Sequence, residues 1–202
     1  MNSGATADRV YDALKRRLLL GEVALGHKLE PALLAEDLMS SVTPVRDALH
    51  RLIGEHLVET RSGEGFYLPH LTEPKLQDLY IWNGELLALA LRSLDRPIVP
   101  LPATEADVAP ALAAETADLF VRIGLGSGNA EHRRAIGAAN DRLHVARIAE
   151  GELFSDARDE FDAIRDAAER GTSADLRKLL SAYHRRRQRS TAAIVRALYR
   201  DQ

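Results

Sequence analysis

A mainly α fold in two parts is predicted by three features of the 202-residue sequence. The composition favours helices, because 46% of the residues are hydrophobic, 5% are aromatic, and Ala, Leu, Arg and Glu are abundant. Apolar residues recur at helical spacing along most of the chain, whereas strand signals are confined to residues 57–68. A short segment with two prolines, residues 69–74, then marks a boundary. We therefore expect one domain over residues 1–70 and an all-α bundle over residues 71–202.

The N-terminal part begins with a predicted amphipathic helix. Thr6 is a suitable N-cap, and the helix is expected to run to about Leu20, after a disordered start at residues 1–5. Side chains spaced four residues apart predict its buried face: Val10, Leu14 and Leu18.

Residues 32–68 hold the pattern around which the N-terminal part is organised. A short helix over residues 32–38 is followed by a break at residues 39–42. A second helix is expected to start with Thr43 as its N-cap and Pro44 at its first position, where the missing N–H of proline costs nothing. Two short helices joined by a tight turn are typical of a helix-turn-helix.

A β-hairpin is predicted directly after these helices. The segments 57–60 and 66–68 have strand character, and the loop between them contains Gly63 and Gly65. A helix-turn-helix followed by a hairpin is a winged helix-turn-helix, so the sequence predicts that fold for the first 70 residues.

Three stretches carry a resemblance to a known family: TPVRDAL at 43–49, GEHLV at 54–58 and GEGF at 63–66. In order, spacing and residue type they resemble the GntR family of bacterial transcriptional regulators. The resemblance covers about the first third of the chain.

The resemblance implies a DNA-binding face formed by the second helix of the pair, the wing and nearby basic residues. We expect Arg46, on the first turn of that helix, to reach base edges or phosphates, with Thr43 contributing its hydroxyl. The expected DNA contacts are Lys28, Thr43, Val45, Arg46, Arg51, Arg61, Gly63 and Gly65. The basic run at 15–17 fits a DNA contact and a solvated surface about equally well.

Two positions depart from the family pattern. The family usually has an Arg just before the Thr-Pro pair, where this chain has Val42. It also often has a basic residue between the wing glycines, where this chain has Glu64. Each change removes an expected DNA contact, and Glu64 adds repulsion if it faces phosphate, so we expect weaker binding or a different operator.

The whole-chain properties restrict the class of protein further. The formal net charge is −3, so nucleic-acid binding must come from a local patch. Cysteine is absent, which excludes disulfides and thiolate metal sites. No apolar stretch reaches the ~20 residues needed to cross a bilayer, so we expect a cytoplasmic protein with no membrane partner.

The second part is expected to contain only helices. The predicted breaks lie at 97–102 and 124–129, and the predicted helices cover 74–94, 104–114, 115–123, 131–150, 155–170 and 173–199. In helix order and length this part resembles the all-helical effector domain of the FadR-type branch of the family, in its smaller six-helix variant.

Many domains of the resembled type hold a divalent metal through an Asp and three His, so we compared this chain with that ligand set. Val121 and Phe161 stand where two of the histidines would be, and only His184 matches a ligand position. Asp118 lies near the acidic position, but Val121 follows it by three positions where the family pattern usually has four. We therefore predict no metal and no other cofactor.

Polar residues on otherwise apolar helix faces are candidates for an effector site, because buried polar groups need partners. The candidate ligand-binding residues are Asn83, Asp118, Asn140 and His184. The alternative is that such side chains bond to neighbouring helices or lie at the edge of the core face.

Two further motifs favour structural interpretations. The glycine-rich segment 124–128 follows a helix rather than a strand, so we interpret it as an interhelical loop and not as a phosphate loop. The basic run 185–189 within an amphipathic helix is typical of a solvated face. No catalytic constellation is evident, so no enzymatic activity is predicted.

The sequence thus predicts a ligand-responsive transcriptional regulator, expected to be a repressor. As a homodimer it would bind a near-palindromic double-stranded DNA operator, because one recognition helix covers only a half-site. The effector would be a small molecule, with carboxylates as one candidate class. The alternative is a small-molecule-binding bundle, in one version enzymatic, with a vestigial winged-helix head, which Val42 and Glu64 would favour.

Overall fold

The computed structural model describes residues 3–61, 65–94, 98–99, 109–170 and 173–200. The described elements are α1 (Ser3–Leu19), β1 (Lys28–Leu29), α2 (Pro31–Asp37), α3 (Val42–Gly54), β2 (Glu59–Thr60), β3 (Phe66–Tyr67), α4 (Glu73–Arg92), α5 (Ala109–Gly126), α6 (Ala130–Leu153), α7 (Ala157–Glu169) and α8 (Ser173–Leu198). The chain divides into two compact units between Leu71 and Thr72. The mainly α fold, with a winged helix-turn-helix followed by a helical bundle, is confirmed.

The first unit, which we call the head, packs α1 and the α2–α3 pair onto a small sheet. The sheet has the order β1-β3-β2, and both of its pairings are antiparallel. Its core lies where the apolar stripe of α1 meets that of α3, with Val10, Leu14, Val45, Leu49 and Leu52 fully buried. Burial of each such side chain contributes about 1.5–3 kcal/mol, so this contact fixes α3 in the head.

Two helix starts in the head differ from the sequence prediction. Helix α1 begins at Ser3, so residues 3–5 are helical where we expected disorder. Helix α3 begins at Val42 after an extended N-cap, Ser41, so Thr43 is not the cap and Pro44 is the third helical residue. The earlier start is compatible with Pro44 because none of the first four helix N–H groups has an intrahelical partner.

The turn between α2 and α3 is made by a residue in the left-handed conformation. Met39 has φ of 47° and is 87% exposed. The chain therefore reverses within residues 38–41 and brings the start of α3 to the surface of the head.

The second unit is a helical bundle in which α4, α5, α6 and α8 surround a common core. Its largest fully buried side chains include Leu76, Tyr80, Leu87, Phe120, Ile123, Ile136, Leu143 and Ile164. None of the helices in the described ranges is long and apolar enough to cross a bilayer.

Helix α5 corrects two of the predicted boundaries. It continues past residues 114–115 and ends at Gly126, so the described part contains one helix where we expected two and a glycine loop. The predicted start at residue 104 and the prolines before it lie outside the described residues. A Cβ at Gly124 would lie 2.9 Å from Cδ1 of Ile136 and 3.0 Å from Cα of Arg133. Gly124 therefore permits the close approach of α5 and α6, a packing role that we had interpreted as a break.

Helices α6 and α7 each have a polar residue at the N-cap. Asn129 caps α6, since its side chain accepts a hydrogen bond from the backbone N–H of Glu131 at 2.9 Å. Helix α7 has Asp156 at its N-cap and begins at Ala157, two residues after the predicted start at residue 155.

Candidate nucleic-acid interface and effector site

The exposed edge of α3 is the first candidate site. Its first turns present Val42, Thr43, Arg46 and Asp47 to solvent, while the opposite face packs into the head. Unpaired backbone N–H groups and the positive end of the helix dipole lie at this end, which favours a nearby anion such as a phosphate.

Arg46 is available for an external partner. It is exposed, and no side-chain hydrogen bond or ion pair joins it to any residue in the described part of the chain. Other head arginines differ: Arg17 donates to Asp37 at 3.1 Å and to Glu22 at 3.0 Å. Two carboxylates therefore already neutralise one member of the basic run at 15–17.

The burial of Val45 does not fit its expected contact with DNA. Its side chain is 0% exposed and belongs to the core that joins α3 to α1. Because it presents no surface, its side chain holds α3 against α1 and cannot contact DNA directly. Val42 is the apolar residue of α3 that faces solvent, and it is 39% exposed.

Arg51 and Arg61 are held by neighbours in the head. Arg51 donates to Asp8 at 3.0 Å and its guanidinium lies 3.9 Å from the centre of the Tyr11 ring. Arg61 donates to Glu59 at 2.8 Å and stacks over Tyr67. Both arginines thus have structural partners, in contrast to Arg46.

The wing is described on either side of its tip. Gly63 and Glu64 lie outside the described residues. Gly65 has φ of 86°, a conformation that favours glycine, and a Cβ there would lie 3.0 Å from Cε of Lys28. Lys28 is half-exposed and pairs with Glu30 at 2.7 Å. The β1–β3 pairing therefore places Lys28 beside the end of the wing loop.

A polar brace connects α1 to the end of α3. Glu55 accepts a hydrogen bond from Lys15 at 2.8 Å and another from the hydroxyl of Tyr11. Burial raises the pKa of the Tyr11 phenol, and its bond to Glu55 adds to the rise. Burial also opposes ionisation of Glu55, but the bonds from Lys15 and Tyr11 outweigh it and lower the pKa of that carboxyl. The brace therefore ties the C-terminal end of α3 to α1.

The helical unit contains a buried polar cluster, which we define as Asn83, Asn140, Arg147 and His184. Asn83 of α4 donates to Asn140 of α6 at 3.3 Å. Nη2 of Arg147 donates to the Oδ1 atoms of both asparagines, at 3.3 Å and 3.0 Å. Three of the four residues predicted to bind a ligand, Asn83, Asn140 and His184, thus lie together in one buried cluster.

His184 is neutral in this cluster. Burial lowers its pKa from the ordinary value to about 3, and the charges of Arg147 and Arg187 act in the same direction. Its Nδ1 lies 2.7 Å from the Leu180 carbonyl oxygen and its Nε2 lies 3.0 Å from Oδ1 of Asn83, and the one N–H of the neutral ring donates to one of these two oxygens. Both ring nitrogens therefore already have neighbours.

Asp118 was also predicted to bind a ligand, but the structure places it away from the polar cluster. It is exposed and accepts a hydrogen bond from Arg122 at 3.0 Å, one helical turn along α5. The preceding residue faces inward instead: the Ala117 carbonyl oxygen accepts from Nδ2 of Asn140 at 2.9 Å. The helical phase that buries Leu119 and Phe120 turns Asp118 outward.

The residues that replace the family's histidines belong to the apolar core. Phe161 is buried, and Val121 packs against the same core from a half-buried position. Among the residues for which the structure gives positions, no group of three His, Asp or Glu side chains is arranged to hold a metal ion.

A groove between α4 and α8 reaches this cluster from the surface. It has a volume of about 360 Å³ and is lined by Ile81, Gly84 and Leu91 of α4 and by Leu180, Ser181 and His184 of α8, among others. A Cβ at Gly84 would lie 3.1 Å from Cγ of His184. Gly84 thus leaves the space that brings the groove up to the His184 ring.

Sequence reasoning missed a second buried network. Glu150 accepts from the Tyr80 hydroxyl and, at 2.8 Å, from Nε of Arg187, which also bonds to Glu160. Arg187 is 2% exposed, so the interpretation of the run 185–189 as a solvated face is wrong for this residue. The available signal was spacing: Tyr183 and Arg187 are four residues apart on the core face of α8.

These features define a class of protein: a winged helix-turn-helix head with a solvent-facing recognition helix, joined to a helical unit with a polar core. The model of "Bacterial regulatory proteins, gntR family" matches residues 6–68. The HTH-type transcriptional regulator McbR of Escherichia coli (strain K12) is 33% identical over 85 residues, which are 41% of this chain and 38% of McbR. The aligned region thus spans well under half of that curated relative.

Two solved structures share the fold along nearly the whole chain. A transcriptional regulator GntR from Rhodococcus sp. RHA1 matches with a TM-score of 0.72 and 17% identity, covering 94% of this chain and 98% of that one. The E. coli McbR/YncC structure matches with a TM-score of 0.64 and 20% identity, covering 96% and 98%. Residues 6–68 therefore match the GntR family model, and the whole chain shares the fold of these two structures, a winged helix at the N-terminus with a helical domain after it.

Proposed function

We propose that this protein is a DNA-binding transcriptional repressor of the FadR-type branch, active in the cytoplasm as a homodimer. The observation that carries the proposal is Arg46, an exposed arginine with no described partner on the first turn of a recognition helix. The match of residues 6–68 to the family model supports the same role for the head. The proposal assigns no catalytic activity to either unit.

Within the proposal, α3 enters the major groove with Thr43 and Arg46 on its leading turn. Lys28 beside the wing and the backbone around Gly65 contact phosphates. Arg51 and Arg61 support the head through Asp8 and Glu59.

The effector site we propose is the groove between α4 and α8, with His184, Asn83 and Asn140 beneath it. The volume of about 360 Å³ suits a small organic molecule. A molecule that bonds to His184 would compete for the contacts that now join α4, α6 and α8. Effector binding changes DNA affinity only if the DNA-competent and incompetent states differ in their affinity for that molecule.

The proposal is tested by selecting genomic DNA fragments with the purified full chain at near-physiological salt. We expect a discrete, near-palindromic site and a dimer on it by light scattering. Binding should weaken steeply with salt, because phosphate contacts release counterions. Recovery of no sequence above background, with and without candidate effectors, would contradict the proposal.

A further inference from the structure

The exposed face of α3 is longer than the part that was predicted to contact DNA. Residues at the spacing of one helical face are exposed along it: Val42, Thr43, Arg46, Asp47 and His50. His50 lies one turn beyond Arg46, about 6 Å further along the helix axis. The face that presents Arg46 to solvent therefore also presents a histidine that is absent from the predicted DNA contacts.

His50 rests against the wing. The centre of its ring lies 5.1 Å from the centre of the Phe66 ring, and the two ring planes meet at 75°. Edge-to-face contact is one of the arrangements that aromatic pairs prefer. Phe66 is 5% exposed and belongs to β3, where it pairs with Leu29 of β1 and Thr60 of β2. A buried side chain of the central strand thus holds an exposed histidine on the recognition helix.

This contact prepares His50 for an external partner. An exposed side chain loses rotamer freedom when it binds, and a side chain that is already held in place loses less. The imidazole ring carries an N–H donor in either of its neutral tautomers. Acceptors for such a donor are present on DNA at the phosphate oxygens and, in the major groove, at N7 of the purines.

We propose that His50 contacts DNA by donating a ring N–H to one acceptor of the operator, a phosphate oxygen or a purine N7. Phe66 is a positioning residue that acts through His50 and does not itself contact DNA. The inference rests on the proposed DNA-binding function and extends the contact surface of α3 beyond Arg46, towards the sheet.

The first test compares the operator affinity of His50→Ala and wild type by fluorescence anisotropy. Loss of one hydrogen bond should weaken binding about three- to ten-fold. The Tm should stay close to that of wild type, because alanine is a strong helix former at an exposed position. The matched control is His56→Asn, which changes an exposed histidine just past the end of α3. Asparagine tolerates the φ of 59° found there, so this variant should bind as wild type does.

A double-mutant cycle tests the role of Phe66. Phe66→Leu keeps an apolar side chain in the core and removes the ring on which His50 rests. It should weaken operator binding about two-fold more in the wild-type background than in the His50→Ala background. A general disturbance of the wing weakens binding equally in both backgrounds, so equal effects would overturn the positioning role. If Phe66→Leu does not fold, modified operators decide the contact without it.

Modified operators separate the two kinds of acceptor. A 7-deazapurine removes a single N7, and a methylphosphonate removes the charge of a single phosphate. A modification that weakens binding of the wild type but not of His50→Ala identifies the acceptor. If His50→Ala binds the unmodified operator as wild type does, or if every modification weakens both proteins equally, the His50 contact is overturned while the proposed function stands. If the wild type selects no operator, both proposals fail.

Discussion

Nε of Arg187 lies 2.8 Å from Oε2 of Glu150, and both side chains are buried between α6 and α8. The same guanidinium bonds to Glu160 of α7, while the Tyr80 hydroxyl of α4 donates to Glu150. Burial alone would lower the pKa of Arg187, but the charges of Tyr183, Glu150 and Glu160 raise it above its ordinary value. One ionic network therefore connects four helices of the bundle.

Glu150→Gln should destabilise the helical unit by about 3–5 kcal/mol, because it leaves part of a buried charge without its partner. The measurement is urea unfolding followed by circular dichroism. The matched control is Glu152→Gln, which removes a carboxylate from an exposed pair with Arg200 at 3.3 Å. Such a surface pair is worth about 0–1 kcal/mol. Equal losses in the two variants would show that the buried pair has no special importance.

The pH dependence of the free energy of unfolding should reflect the different pKa of His184 in the folded and unfolded chain. Its pKa is about 3 in the folded chain and about 6.5 in the unfolded chain. The unfolded state therefore binds a proton that the folded state does not. This contribution is fully present above pH ~6.5 and is lost as the pH falls towards 3, by at most about 1.4 kcal/mol per pH unit.

In His184→Gln, the free energy of unfolding should fall less steeply between pH 6.5 and 5 than in the wild type. This holds whatever the effect of the substitution at neutral pH. Unfolding in urea at each pH gives the slope. The control is His27→Gln, which changes an exposed histidine of the head and should leave the slope unchanged. If the wild type and His184→Gln lose stability in parallel, His184 is not held neutral by the core.

Replacing Gly124 or Gly54 by alanine should have different effects on the free energy of unfolding. Gly124→Ala places a Cβ 2.9 Å from Ile136 and 3.0 Å from the backbone of Arg133, so α5 and α6 must separate. We expect a loss of about 1–3 kcal/mol. A Cβ at Gly54 of α3 meets nothing within 4 Å, so Gly54→Ala should be neutral or stabilise by up to about 1 kcal/mol. Thermal unfolding measures both, and a stable Gly124→Ala protein would disprove the tight packing.

Val42 should read thymine rather than phosphate. It is the exposed apolar residue at the start of α3, and apolar side chains in the major groove contact the 5-methyl group of thymine. Within a selected operator, uracil in place of the contacted thymine should weaken wild-type binding about four-fold, the value of one buried methylene-sized group. Val42→Ala should bind the two operators almost equally. An equal uracil penalty in both proteins would rule out the contact.

The sequence predicted those features that depend on residues close together in the chain better than those that depend on residues far apart in it. The head followed from local signals, since Pro44, the stripe Val45–Leu49–Leu52 and the wing glycines each restrict nearby backbone. The start of α3 was misplaced by two residues because Ser41 and Thr43 are both acceptable caps.

The helical unit was harder to predict because its contacts are distant in sequence. Asn83, Asn140 and His184 were expected to face inward, and they do. The outward turn of Asp118 and the inward turn of Arg187 depend on how each helix is rotated against its neighbours. Composition gave no sign of that rotation, since an arginine within a basic run is usually solvated.

The most direct test of the central claim is operator affinity measured by fluorescence anisotropy for wild type and Arg46→Ala over a range of salt concentrations. We predict about ten-fold weaker binding for Arg46→Ala and, for a phosphate contact, a salt slope smaller by about one. Its Tm should be unchanged, because Arg46 has no partner in the described part of the head. Arg133→Ala, in the other unit, should bind as the wild type does. Equal operator affinity and equal salt slopes for Arg46→Ala and wild type would contradict the claim that α3 is the DNA-reading helix.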